Sequence, residues 1–218
     1  MAQRSKSSKK WLKEHFTDVF VQQAQKDGFR SRAAYKFLEL QEKDQLVKPG
    51  MRVADLGAAP GGWSQLVCRY LKGQGQVFAL DILPIDPLDG VTIIQGDFRE
   101  QAVLDQLLSL LDGRQLDLIL SDMAPNLSGS KTIDQPRVMY LCELALDFAR
   151  QALKPQGNLV VKSFHGEGFE SYIKTLRQHF SKVIIRKPKA SRQRSAECYV
   201  LAKGYLNKLS QQAILSNL

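Results

Sequence analysis

Apolar residues along this chain come in two rhythms that alternate nearly from end to end. Short apolar runs mark strands: MRVADLG (51–57), GQVFALD (75–81), VTIIQGD (91–97), QLDLILSD (115–122), GNLVVKSF (157–164), KVIIRK (182–187) and ECYVLAKG (197–204). Between them, apolar residues return every three or four positions, as on one face of a helix. One such segment starts at Ser31, read as an N-cap, and continues through AAYKFLELQEK with Ala34, Phe37, Leu38 and Gln41 on one side. Further helices are predicted from near Gly62, over about 99–111, over about 135–153 and over 167–179. Lys48-Pro49-Gly50 and Lys154-Pro155-Gln156-Gly157 punctuate the chain, because proline lacks the helical N–H and glycine favours a turn.

Strands alternating with helices predict a parallel sheet wrapped on both faces. The last two strands are joined only by a short basic and serine-rich link, which makes them an antiparallel pair. The predicted fold is therefore α/β. It is a single doubly wound, Rossmann-like domain with a seven-stranded, mostly parallel sheet, its last strand antiparallel and helices on both faces. A length of 218 residues fits one domain and is enough to bury a core without disulfides or metals.

Composition narrows the class. No apolar run approaches the roughly 18 residues needed to span a bilayer, which predicts no membrane association. Cys68, Cys142 and Cys198 lack the spacing of a metal knuckle or redox pair and read as reduced core thiols of a reducing, cytoplasmic compartment. His15, His165 and His179 show no ligand spacing either, so no metal site is expected.

The net charge of +9 is unevenly placed. Residues 1–13 carry Arg4, Lys6, Lys9, Lys10 and Lys13 and no acid, a charge of +5. Residues 182–194 carry Lys182, Arg186, Lys187, Lys189, Arg192 and Arg194 and no acid, a charge of +6, so the rest of the chain nets −2. Two acid-free clusters on an otherwise slightly acidic protein are the footprint of a polyanion partner. The first cluster reads as a flexible RNA-contacting arm, with a targeting segment as the alternative.

In a doubly wound sheet, ligands bind beyond the carboxyl ends of the strands. Four strands here close on or near a carboxylate: Asp55, Asp81, Asp97 and Asp122. Four acids on one rim suit a ligand with hydroxyls, amines and positive charge, and do not suit a bare phosphate. The turn after the first strand, Gly57-Ala58-Ala59-Pro60-Gly61-Gly62-Trp63, lets backbone approach that ligand closely. It is neither a phosphate-binding Walker loop nor a G-x-G-x-x-G dinucleotide fingerprint.

DLGAAPGGWSQ, LALDILP, GDF, DLILSDMAPNLSG and GNLVVKSF together resemble the FtsJ ribose 2′-O-methyltransferases of ribosomal RNA, over roughly residues 11–204. The compact length is similar to that of the bacterial large-subunit enzymes acting on uridine. The resemblance implies an S-adenosylmethionine site with Gly57, Gly61 and Trp63 against the cofactor, Asp81 on its ribose hydroxyls, Asp97 near the adenine and Asp122 near the methionine amine. It implies a catalytic Lys-Asp-Lys-Glu set, here Lys36, Asp122, Lys162 and Glu197. It implies ribosomal RNA in the large subunit as partner and a cytoplasmic enzyme of rRNA processing and ribosome biogenesis; no protein partner is implied, and a monomer is expected. The domain organisation expected is a basic arm over 1–12, the methyltransferase domain over 13–205 and a tail over 206–218.

The donor methyl is already activated, so the enzyme has mainly to align oxygen, carbon and sulfur. A ribose hydroxyl also needs somewhere to put its proton, and Lys162 is the candidate acceptor, or else an orienting group. Burial and Lys36 favour the neutral amine that acceptance requires, while Asp122 and Glu197 oppose it. Arg30, Arg32 and Lys36, together with the 182–194 cluster, are candidate phosphate contacts. Two rivals on the same fold are a small-molecule O-methyltransferase and a nonenzymatic RNA-binding assembly factor.

Overall fold

A computed structural model describes residues 18–192 and 195–207. The basic arm, Arg194 and most of the tail lie outside the described residues. Two helices come first, α1 (Val19–Lys26) and α2 (Ala33–Asp44). Then follow β1 (Arg52–Leu56), α3 (Gly62–Leu71), β2 (Gln76–Asp81), β3 (Val91–Gln95), α4 (Gln101–Leu111) and β4 (Leu116–Ser121). The chain continues with α5 (Lys131–Ala152), β5 (Leu153–Phe164), α6 (Phe169–His179), β6 (Phe180–Arg186) and β7 (Glu197–Tyr205).

The seven strands form one sheet in the order β3-β2-β1-β4-β5-β7-β6. The first five pair in parallel, and β7 runs antiparallel between β5 and β6. The predicted architecture is therefore the observed one. Central strands are apolar on both sides because each side has its own core. Ala54, Leu56, Phe78 and Ile119 pack into one cluster with α4, α5 and α6. Val53, Val77, Leu118 and Leu120 pack into another with Phe37 and Leu40 of α2 and Trp63, Leu66 and Val67 of α3. That two-sided burial is why these strands read as unbroken apolar runs.

Four local expectations change. Helix α1 was not predicted; the Asp18 carboxylate accepts from the Phe20 N–H at 3.0 Å and caps it, but Ala24 is its only buried residue, so its apolar stripe is weak. Ser31 does not cap α2, whose N-cap is Arg32. Its hydroxyl lies instead against Gly62, where a Cβ would come within 2.6 Å of it. Helix α5 starts at Lys131 rather than near Gln135, which puts Pro136 in its second turn, past the first-turn positions whose N–H groups need no helical partner. Strand β5 starts at Leu153, before the Lys-Pro-Gln-Gly stop. Leu116 pairs with Leu153 and Leu118 with Asn158, so residues 154–157 bulge opposite Asp117 while the strand continues.

Candidate active site

The strand order reverses between β1 and β4, and the turns leaving these two strands meet over that gap. They meet backbone to backbone. Gly57 has φ +76°, and a Cβ there would lie 2.7 Å from the Met123 nitrogen, so no other residue fits. The cleft between the turns is lined by Ser31, Asp55, Gly57, Ala58, Ala59 and Asp122, among others. The Ala59–Pro60 bond is cis, and Gly61, at φ +101°, turns the chain into α3.

Each acid of the rim has a distinct setting. Asp81 ends β2, and its carboxylate accepts from the N–H of Ala59 at 2.9 Å and of Leu83 at 2.8 Å, tying the Gly-rich turn to the loop after β2. Asp55 is fully buried; one oxygen accepts from the Ser64 hydroxyl at 2.7 Å and the other has no partner among the described residues. Burial pushes its carboxyl up to about 7, and the nearby Asp122 and Asp81 charges push the same way. Asp97 stands apart. It follows β3 and takes Arg99 in a bidentate contact that holds its carboxyl below the usual range; like Asp81 and Gly61, it is not among the residues lining the cleft.

Arg30 ties the Gly-rich turn to the loop after β2 by donating to the carbonyls of Pro60, Asp86 and Pro87. Beyond Asp81 the side chains of Ile82 and Leu83 are exposed. An unpaired buried carboxylate oxygen, a close-packed backbone turn, two further acids and an exposed apolar pair suit a ligand with an ammonium, hydroxyls and a flat apolar ring. S-adenosylmethionine has all three.

Lys36, Asp122, Lys162 and Glu197 come together from four parts of the chain. Lys162 is buried in β5; its Nζ lies 3.0 Å from Asp122 Oδ1 and also donates to the Asp122 carbonyl. Lys36 of α2 pairs with Glu197 at 2.7 Å, and the Ser191 hydroxyl donates to the same carboxylate at 2.8 Å. Tyr199 joins the two pairs. Its hydroxyl donates to Asp122 Oδ1 at 2.7 Å, and the Lys36 ammonium sits 5.7 Å from its ring centre. Burial, with the Asp122 charge beside it, holds the Tyr199 phenol well above its ordinary range, so it serves as a donor. Two ammonium groups facing two carboxylates satisfy the requirement that buried charge be paired.

Sequence reasoning missed Tyr199 as the bridge, although a signal existed. Lys162 and Tyr199 are direct cross-strand partners, and Tyr199 shares a face of β7 with Glu197 two residues earlier. Trp63 is placed differently from its expected loop position. It is the second residue of α3, borders the cleft and turns its ring against Phe37 and Tyr199, donating its indole N–H to the Ala33 carbonyl at 2.8 Å.

The expected phosphate contacts also divide. Besides Arg30 and Lys36, Arg32 spends its charge inside the chain, on Asp18 at 2.9 Å and the Ala190 carbonyl. Arg186 pairs with the buried Asp44. Lys182, Lys187 and Lys189 remain at the surface. Among the described residues there is no cluster able to hold a metal ion, and no helix is long and apolar enough to cross a membrane.

Residues 29–205 match the model of the FtsJ-like methyltransferase family. The chain is 60% identical over 202 residues to a Legionella pneumophila protein named ribosomal RNA large subunit methyltransferase E, covering 93% of this chain and 98% of that one. A Pseudomonas fluorescens protein of the same name is 58% identical, with 93% and 97% covered. Among solved structures, a Plasmodium falciparum protein named as a ribosomal RNA methyltransferase superposes with TM-score 0.75 at 30% identity, covering 82% of this chain and 99% of that one.

Proposed function

The chain belongs to the FtsJ-like methyltransferase family, and from that premise we propose that it methylates the 2′-hydroxyl of a ribose in RNA. The substrate proposed is a uridine of large-subunit ribosomal RNA in the assembled subunit. The observation that carries this reading is the Lys162–Asp122 contact beside the cofactor cleft, joined through Tyr199 to the Lys36–Glu197 pair.

Asp55, Gly57, Gly61, Asp81 and Asp122 would hold S-adenosylmethionine, with Asp97 and Trp63 at its margins. That group, when bound, supplies an activated methyl. The protein supplies alignment and a place for the proton. Asp122 grips Lys162 through a side-chain and a backbone oxygen, which fixes Nζ beside the cleft. A hydroxyl brought to Nζ would be oriented there, and its proton would pass to Nζ where that amine is neutral, or to solvent where Asp122 keeps it an ammonium that only orients the hydroxyl. Glu197 holds Lys36 nearby, where its ammonium can meet the ribose or its phosphate. Exposed Lys182, Lys187 and Lys189 supply sequence-independent attraction to the RNA backbone.

The test uses radiolabelled S-adenosylmethionine with large ribosomal subunits, naked rRNA and small phenols. The expected result is label in rRNA at an alkali-resistant linkage, lost in Lys162→Ala while cofactor affinity is kept. Label on the phenols alone, or wild-type turnover in that variant, would sink the reading.

A further inference from the structure

A second cavity, of about 290 Å³, opens between the first turns of α5, the turn after β5 and Ala196. It shares no lining residue with the cofactor cleft. Leu127, Val138, Phe164 and Ala196 give it apolar walls, and Thr132 and His165 stand among its lining.

Two successive residues of α5 hold the walls in place. The Asp134 carboxylate accepts from the Ser128 N–H at 2.7 Å, the Ser128 hydroxyl at 2.9 Å and the Gly129 N–H at 2.9 Å, which pins the loop carrying Leu127. Gln135 donates to the carbonyls of Phe164 at 3.1 Å and Glu167 at 3.0 Å, which pins the turn after β5. Its amide lies against Gly166, where a Cβ would come within 2.7 Å of it. The cavity is therefore preformed, and ordering its walls costs a ligand little.

Its position says what it could receive. Phe164 is the cross-strand partner of Glu197 and stands two residues beyond Lys162; Ala196 directly precedes Glu197. The cavity thus opens past the ends of the two strands that carry Lys162 and Glu197, and a nucleoside with its 2′-oxygen at Lys162 can direct its base beyond those strand ends. The Phe164 ring and aliphatic walls, bordered by Lys131, Thr132, Asp134, Gln135, His165 and Glu167, match a base's apolar faces and polar rim, and the size suits one small ring system.

We infer that this cavity receives the base of the nucleotide whose ribose is methylated, drawn out of its stack. Enzymes that act within a helical or stacked strand commonly hold the extruded base between apolar side chains in this way. The inference rests on the ribose 2′-hydroxyl reading above. The cavity then measures the presence of a base while the tetrad handles the ribose, so a ribose without a base would be a poor substrate.

Two substrates and two variants test it. One reconstituted subunit carries the normal target nucleotide; the other carries an abasic ribonucleotide there, with its 2′-hydroxyl intact. Wild-type enzyme should lose about 10–100-fold in kcat/KM on the abasic substrate, the size of one base-stacking contact. Thr132→Trp, at an exposed position of α5, fills the cavity, and Leu127→Ala removes a wall. Thr132→Trp should lose a similar factor on the normal substrate and show almost no further loss on the abasic one. Leu127→Ala should show a reduced abasic penalty, and both variants should keep wild-type cofactor affinity. An undiminished abasic penalty in both variants, or equal use of the two substrates by the wild type, would overturn the inference. Methylation by the wild type at a position other than the 2′-oxygen would instead overturn the underlying reading, and this one with it.

Discussion

Where the turn after β1 lines the cleft, the chain presents backbone, and Asp81 at the end of β2 is held by N–H groups of Ala59 and Leu83. Past Asp122, where β5 and β7 end, the chain presents paired side chains. Lys162 meets Asp122, Lys36 meets Glu197, and Tyr199 spans the two pairs. The first half is a shape made by local turns, so it can bind. The second is a balanced set of charges gathered from distant segments, so it can direct a proton. Their separate construction means that binding and turnover should fail separately.

The sharpest test of that separation is Lys162→Ala. Turnover should fall by about 10²–10⁴-fold, the range for a positioned proton-handling group, with cofactor affinity unchanged in equilibrium titration. Asp81→Ala should do the reverse. Losing a charge-assisted contact of about 1.5–3 kcal/mol weakens cofactor binding by roughly 10–100-fold, while kcat at saturating cofactor stays near wild type. If both variants lost affinity and turnover together, the division would be false.

Asp55 offers a finer probe, because it lies between the halves and takes part in neither ion pair. Its carboxyl is pushed up to about 7 by burial, against an ordinary value of 3.8. The folded state therefore keeps its proton over a range where the unfolded chain has lost it. The stability this contributes is full below about pH 4 and is lost as pH rises through about 7, by on the order of 1 kcal/mol per pH unit. Urea unfolding of Asp55→Asn should show that slope flattened; an unchanged slope would mean another group carries it.

The smallest effect is expected outside the cleft. Lys189→Ala should weaken RNA binding a few-fold at low salt and reduce the slope of log affinity against log salt by about 0.7–0.9, without altering either half of the site. No change in slope would remove Lys189 from the RNA surface.

The binding half was more legible than the reacting half. Central parallel strands must be apolar on both faces, so VADL, VFAL and LILS announce themselves, and a doubly wound sheet puts its ligand beyond their carboxyl ends. Asp55, Asp81 and Asp122 could thus be found by position alone. Asp97 could be found as well, but not its engagement with Arg99. The reacting half was legible only through resemblance, because Lys36 and Glu197 are ordinary residues until they meet. Arg30 and Arg32 likewise looked free for phosphate and turned out to be committed to the chain's own carbonyls and Asp18.

The order of strands and helices, the antiparallel end of the sheet and the acids along its rim were all readable from residue patterns alone. Each of these follows from burial periodicity and turn chemistry within a few residues. Three outcomes came only with the folded sheet: Tyr199 bridges two ion pairs, Trp63 faces the core, and a second cavity opens past the end of β5. Those outcomes depend on which segments a folded sheet brings within 3 Å of one another, and no local pattern encodes a partner that lies on another strand.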